Sequence, residues 1–421
     1  MHKIKTLSNG LTLITVDMPH LDSVTTLVAV GVGSRYETKN INGISHFLEH
    51  MFFKGSRKYP TAEQISNLID GIGAINNAAT SKEVTFYWIK SAGKHIELAT
   101  DILSSMIKES LLSKEEIEKE KGVIVEELRM LRDIPPRLIW DLYERLQFGD
   151  QPLGWDLGGD EKTINTFLRD DFVGYMESLY SADNMALVFA GKLPANIEKL
   201  AEDYFLDIPQ RFKSKFIPYK NLKQTKAKIN ICYKKTDQAN LILGVEGFDR
   251  NDDKRYASDI LSVILGEGMS SRLFIQVRER RGLAYRINAS SSSYSDTGTF
   301  TVYAGLKLEK VYEGLEVILA ELLNAVSEKV TDMELKKAKD MLRGRIALQS
   351  ESTNFLAEYF GTSFVLDRKI ETFEEYLKEI DKITKEDVQI VAKQLFVKDR
   401  FNLQVIGPFK NKDKFEKGLN D

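Results

Sequence analysis

The feature that most constrains this chain is an internal repeat. Residues 179–191, Leu179-Tyr-Ser-Ala-Asp-Asn-Met-Ala-Leu-Val-Phe-Ala-Gly191, align with residues 395–407, Leu395-Phe-Val-Lys-Asp-Arg-Phe-Asn-Leu-Gln-Val-Ile-Gly407, at an offset of 216. In each copy an amphipathic helix leads into an apolar strand that ends in glycine. The strand pairs near 77–90 and 285–303 also correspond. Two copies of one domain explain the 421 residues better than three unrelated domains. Residues 208–228 hold seven Lys or Arg, two prolines and no acid. A nucleic-acid groove is one reading of that run. A solvated linker is the simpler one, because no wider basic density surrounds it. The expected organisation is therefore a first domain over 1–207, a basic linker over 208–228 and a homologous domain over 229–421.

Local patterns give the fold class. Apolar strands at 4–7 and 11–16 flank Ser8-Asn9-Gly10, a hairpin signal, and 24–30 is a third β-rich run. Helices are expected at 41–53, from Thr61, at 94–110 and at 114–132, the last opened by Ser113 with Glu116 three residues on and ended by Pro135-Pro136. Strands at 78–80 and 84–90 lie between them. A Gly-rich loop over 149–160, two short helices and a strand at 185–190 follow. Strands and helices in this order imply α+β domains, each a mixed or antiparallel sheet packed with helices.

Composition narrows the function. Lys and Arg number 59 against 62 acids, a net charge of −3 that gives no reason to expect nucleic acid or an anionic membrane as partner. No run of about 18 apolar residues occurs, and the first residues lack the apolar core of a secretory signal, so a cytoplasmic protein is expected. The single cysteine, Cys232, excludes an internal disulfide and a thiolate-rich metal site. Any imidazole chemistry must come from five histidines, at 2, 20, 46, 50 and 95.

Two of those five stand in His46-Phe-Leu-Glu49-His50. On a helix, His46, Glu49 and His50 share one face, so two imidazoles can grip one ion with a carboxylate beside them. At the offset of 216 the second copy carries Ser262 and Gly266, so the fold does not require the histidines. A tetrahedral zinc needs a third protein ligand. The helix opened by Ser113 offers two candidates, Glu120 and Glu127, within an apolar stripe of Ile117, Val123, Ile124, Leu128 and Leu131. A carboxylate on such a face is costly unless it is hydrogen-bonded, paired or bound to metal. Their equivalents in the second copy are Lys336 and Arg343, so the acids vanish where the histidines vanish.

His-x-x-Glu-His is the inverzincin signature. The chain resembles the M16 peptidases, the family of pitrilysin, insulin-degrading enzyme and mitochondrial processing peptidase, and in particular the short bacterial members. The resemblance runs through Gly43-Ile-Ser-His46-Phe-Leu-Glu49-His50-Met-Phe-Phe-Lys-Gly55, Asn77-Ala-Ala-Thr-Ser-Lys-Glu83, Glu120 to Glu127 and Tyr180 to Gly191. It implies one Zn2+ per subunit on His46, His50 and Glu127, with Glu120 supporting the ligands and Glu49 as general base. It implies Arg278 and Tyr285, within Arg278-Glu-Arg-Arg-Gly-Leu-Ala-Tyr285, as a substrate-holding pair, and peptide substrate added as a strand along Asn77, Ala78, Ala79 and Thr80. Two domains make half of the family's clamshell. The resemblance therefore implies a homodimer whose closed chamber cuts unfolded peptides or presequence-like segments.

Two other readings remain. Some chains of the family are non-catalytic structural subunits, typically without an intact zinc motif, and a metal hydrolase acting on something other than peptide is the third possibility.

Overall fold

The computed structural model describes residues 2–211 and 216–420, with the backbone alone at Asn420; four residues of the expected linker, 212–215, lie outside the described set. The chain forms two compact units, each built on one sheet. The first comprises residues 1–129, 156–217 and 347–371, and the second 130–155, 218–346 and 372–421.

The first unit holds strands β1 (His2–Thr6), β2 (Thr12–Asp17), β3 (Ser23–Val30), β4 (Ile75–Thr80), β5 (Thr85–Ala92) and β6 (Met185–Gly191) in the order β1-β2-β6-β3-β5-β4. The second holds β7 (Lys228–Tyr233), β8 (Gln238–Gly247), β9 (Ala284–Ser293), β10 (Gly298–Lys307) and β11 (Asn402–Gly407) in the order β7-β11-β8-β10-β9. Setting β2 against β7 and continuing strand by strand makes the two orders identical, with β1 as the one addition. The pairings agree as well. β2 runs parallel to β6 and β7 parallel to β11, while all other neighbours are antiparallel. The repeat read from residues 179–191 and 395–407 is thus a duplication of the whole sheet.

Helices α1 (Ile44–Phe52), α2 (Ala62–Gly71), α3 (Ile96–Glu109) and α4 (Lys114–Asp133) belong to the first half. Phe47, Leu48, Met51 and Phe52 of α1 join Ile102, Leu103 and Met106 of α3 over Val24, Val28 and Val30 of β3 and Leu187 and Phe189 of β6. Those strands are buried on both faces, as a sheet covered twice requires. The second cover on the first sheet is the helix Thr353–Asp367, which packs on β3 and β6. There Thr25 Oγ1 bonds Thr353 Oγ1 at 2.8 Å and Asn354 Oδ1 at 2.9 Å.

One boundary of the compact units, 217/218, falls within the expected linker, while residues 130–155 group with the second unit and 347–371 with the first. Pro135-Pro136 ends α4 as expected, but the same prolines open a helix that the sequence reading left unassigned, α5 (Pro135–Phe148). Proline is well suited to a first helical turn, where its missing N–H is no loss. Helix α5 packs on β8 and β11 of the second sheet, with Ile139 and Tyr143 against Ile242, Tyr303 and Ile406. Each repeat therefore gives the helix that follows its long helix to the other repeat's sheet, α5 in one direction and Thr353–Asp367 in the other.

Candidate metal centre

Helix α1 carries the histidines. Gly43 precedes it in the left-handed region at φ 99°, where a side chain would be strained and would strike the Gly158 carbonyl. The Gly-rich loop of the sequence reading thus ends in a Gly158-Gly159 pair that lets the start of α1 pack closely. The first turn is capped by an acid from upstream: Glu37, fully buried, accepts from Asn42 Nδ2, Gly43 N, Ser45 N and Ser45 Oγ at 2.6–2.9 Å.

One turn further on, His46 and His50 stand with ring centroids 4.7 Å apart. Glu127 of α4 meets both: its Oε1 lies 3.8 Å from His46 Nε2 and its Oε2 lies 3.5 Å from His50 Nε2. One donor atom from each of the three residues falls within 4.8 Å of the others. Ligand atoms around a tetrahedral zinc with bonds of 2.0–2.1 Å sit roughly 3.4 Å apart, so the observed spacings suit that ion with small adjustments. His50 Nδ1 donates to Glu120 Oε1 at 2.9 Å, which leaves Nε2 to present a lone pair toward the metal position when the ring is neutral. Lys54 Nζ lies 2.6 Å from the other oxygen of Glu120.

The protein's own charges set the protonation of this cluster. Burial pulls His46 down to about 4, and the neighbouring His50 adds to the effect. Burial works on His50 in the same direction, but hydrogen bonds to Glu120 and Glu127 outweigh it and push this ring up to about 9. The hydrogen bond from His50 holds Glu127 below its ordinary value against the cost of burial. Burial would raise Glu120, yet His50 and Lys54 together bring it below. Glu49 goes the other way: burial pushes its carboxyl up, and a 2.5 Å hydrogen bond from Thr80 Oγ1 only partly opposes this.

The expected stripe on α4 is corrected in two places. Ile117, Ile124 and Leu128 are buried, but Val123 is 51% exposed, because the buried face centres on Glu120 and Ile124 and leaves Val123 outside it. Glu120 has a side chain only 4% exposed, whereas that of Glu127 is 31% exposed, at the rim of the stripe rather than within it.

Asn77, Ala78, Ala79 and Thr80 lie on β4, which pairs with β5 on one side and forms the edge of the first sheet. Arg278 and Tyr285 come together within the second unit. Arg278 lies on the π-helical turn Phe274–Glu279 and Tyr285 on β9, with the guanidinium 5.4 Å from the ring centre and Tyr285 80% exposed. Residues 267–271 form a turn between the helix Lys254–Gly266 and the helical segment that begins at residue 272. In the second copy Gly266 is required by packing, since a Cβ there would lie 2.1 Å from Ala289 N, and Lys336 and Arg343 pair with Asp340 and Asp381.

Sequence reasoning gave no role to Lys54, Ser45 or Glu37. Lys54 carried a usable signal, lying four residues past His50 in the turn that follows α1. Glu37 carried none, because two of its four donors are backbone N–H groups and the other two are neutral side chains, with no opposite charge to mark it.

Residues 12–161 match the family model "Insulinase (Peptidase family M16)", and residues 166–342 match "Peptidase M16 inactive domain". An "Uncharacterized zinc protease YmxG" of Bacillus subtilis (strain 168) is 35% identical, over 98% of this chain and 99% of its own length. The chain belongs to peptidase family M16. Its fold is shared by solved structures: a protease from Helicobacter pylori superimposes with a TM-score of 0.90 at 22% identity, covering 97% of this chain and 99% of the other. A chain of Complex III2 from Candida albicans superimposes with a TM-score of 0.87 at 18% identity, covering 99% of each. A shared fold does not by itself decide activity, which depends on the side chains of the site.

Proposed function

We propose that this M16 chain is a zinc-dependent endopeptidase that hydrolyses peptide bonds in unfolded polypeptides. One observation carries the reading. His46, His50 and Glu127 bring one possible ligand atom each within 4.8 Å of one another, while Glu49, on the same turn of α1, is outside the cluster and accepts a hydrogen bond from Thr80 on a sheet edge. The name of the Bacillus subtilis relative supports zinc as the metal.

His46, His50 and Glu127 would hold one zinc per chain, which would supply Lewis-acid chemistry that makes a water more acidic. The remaining steps belong to the protein. Substrate backbone adds to the free side of β4 along Asn77–Thr80, so main-chain hydrogen bonds hold it with little demand on side chains. Glu49 takes the proton of the attacking water on a carboxylate oxygen and delivers it to the departing amine. Thr80 keeps that carboxylate turned to the edge where substrate lies. Glu120 and Lys54 fix the ring of His50. Tyr285 donates to the oxyanion and Arg278 holds a neighbouring carbonyl. In the proposed homodimer the Arg278–Tyr285 pair of one subunit acts at the zinc site of its partner.

The test is cleavage of an unstructured peptide, followed by mass spectrometry of the fragments, with zinc removed by chelator and restored. Internal cuts that disappear with the metal and return with it support the reading. A zinc-loaded chain with no cleavage of any unfolded substrate supports the structural-subunit alternative, and zinc-dependent hydrolysis of other esters or amides alone supports a different hydrolase.

A further inference from the structure

We propose that Glu37 is a positioning residue for the hydrolytic centre, acting through the first turn of α1 on His46, Glu49 and His50; this rests on the reading of those residues given above. Glu37 touches neither the metal ligands nor the position of substrate. Its two oxygens take four hydrogen bonds: Oε2 from Gly43 N (2.8 Å) and Asn42 Nδ2 (2.9 Å), Oε1 from Ser45 N (2.9 Å) and Ser45 Oγ (2.6 Å). Two of these donors are main-chain groups at the start of α1, which have no partner within the helix. A carboxylate there is also favoured by the helix dipole. Ser45 Oγ bonds Tyr175 Oη at 2.6 Å as well, so the next residue, His46, starts from a backbone held on two sides.

The segment that carries Glu37 has a second anchor. Two residues earlier, buried Arg35 donates to Glu83 at 2.6 Å, and Ser34 N and Arg35 N donate to Ser81 O and Lys82 O. Residues 81–83 follow directly on Thr80, the partner of Glu49. One short segment, 34–37, thus grips the end of the substrate edge with Arg35 and the start of the metal helix with Glu37. It fixes the distance between the strand and the acid that must act beside it. Displacements of about 1 Å in such an arrangement cost on the order of a hundredfold in rate.

The experiment uses the full chain and three measurements: zinc affinity by competition with a chromogenic chelator, kcat and KM on an unstructured peptide at saturating zinc, and the thermal midpoint of the metal-free chain. Glu37→Gln keeps the shape but turns an NH2 group toward donors. It is expected to weaken zinc binding about 10- to 100-fold and to lower kcat at least about tenfold, with KM within about twofold. Thr25→Val is the comparator, since it removes buried bonds to Thr353 and Asn354 on the opposite face of the same sheet; it should lower the midpoint and leave zinc affinity and kcat at wild-type values. Wild-type zinc affinity and kcat in Glu37→Gln, or equal losses in Thr25→Val, would overturn the proposal. Should Glu37→Gln not fold, Ser45→Ala removes one of the four bonds, and an unchanged zinc affinity there overturns it equally. The affinity measurement needs no turnover, so a chain that binds zinc but hydrolyses nothing sinks the peptidase reading while still judging Glu37.

Discussion

Thr80 Oγ1 donates a 2.5 Å hydrogen bond to Glu49 Oε2, tying the acid of the metal helix to the edge strand. Because Glu49 is the acid of the motif that the ligand cluster leaves free, Glu49→Gln should keep zinc and lose hydrolysis by about 10²- to 10⁴-fold. Metal content and kcat measured on one preparation check this. Loss of zinc from an otherwise folded chain would make Glu49 a ligand and the roles misassigned.

The two acids of α4 should separate cleanly. Glu127 is placed to bind the metal itself, whereas Glu120 holds the His50 ring and Lys54. Glu120→Gln should weaken zinc binding about 10- to 100-fold, and Glu127→Gln far more, because a bond to the metal is lost outright. Equal zinc retention by the two variants in a competition titration would contradict the assignment.

Zinc binding near pH 7 should release about one proton per site, before any ionisation of the water that joins the metal. The count follows from the metal-free cluster. His46, drawn down to about 4, is already neutral, and Glu127, held low, is already ionised. His50, pushed up to about 9, carries a proton that the metal must displace. Zinc affinity should therefore rise with pH up to about 9. Calorimetry in buffers of different ionisation enthalpy measures the proton directly, and a release near zero at pH 7 would show that His50 is neutral before metal binds.

Much of this was legible in the sequence, and the reasons differ by element. The repeat was readable because each copy preserves an apolar strand between fixed flanking residues, and the matching sheet orders follow from it. The metal cluster was readable because His46 and His50 are four apart on a helix and their equivalents, Ser262 and Gly266, carry no ligand. The exchange of α5 and Thr353–Asp367 was not, since an amphipathic helix reveals that it will be buried but not against which sheet. Nor was the exposure of Val123, because a stripe drawn at 100° per residue has no marked edge. Glu37 escaped for a different reason: its donors are two main-chain N–H groups and the neutral side chains of Asn42 and Ser45, so no opposite charge marks its partners in the sequence.

The second unit carries its own pH dependence. Glu334 takes a bidentate pair from Arg272 (2.7 and 3.0 Å) and a bond from Thr331 N at 2.8 Å. Burial opposes the charge, but the guanidinium wins and lowers the carboxyl to about 2. A folded value below the unfolded one means stability that is present above about pH 4.3 and is lost as pH falls toward 2. Glu334→Gln should thus lower the thermal midpoint at pH 7, and the gap from wild type should close between about pH 4.5 and 2. A gap that stays constant over that range would mean the pair contributes through shape alone.

Arg278 and Tyr285 sit side by side on the second unit with Tyr285 80% exposed. If each site takes zinc and Glu49 from one subunit and Tyr285 from the other, Tyr285→Phe and Glu49→Gln chains should each be nearly inactive alone. Mixed under conditions that exchange subunits, they should regain activity. In a heterodimer one site carries both lesions and the other neither; half of random pairs are heterodimers, so about one quarter of wild-type sites return, by the two-fold symmetry of such assemblies. Were both functions within one chain, every site would keep one lesion. Absence of recovery, with exchange demonstrated by labelled subunits, would exclude the shared site and leave each chain complete in itself.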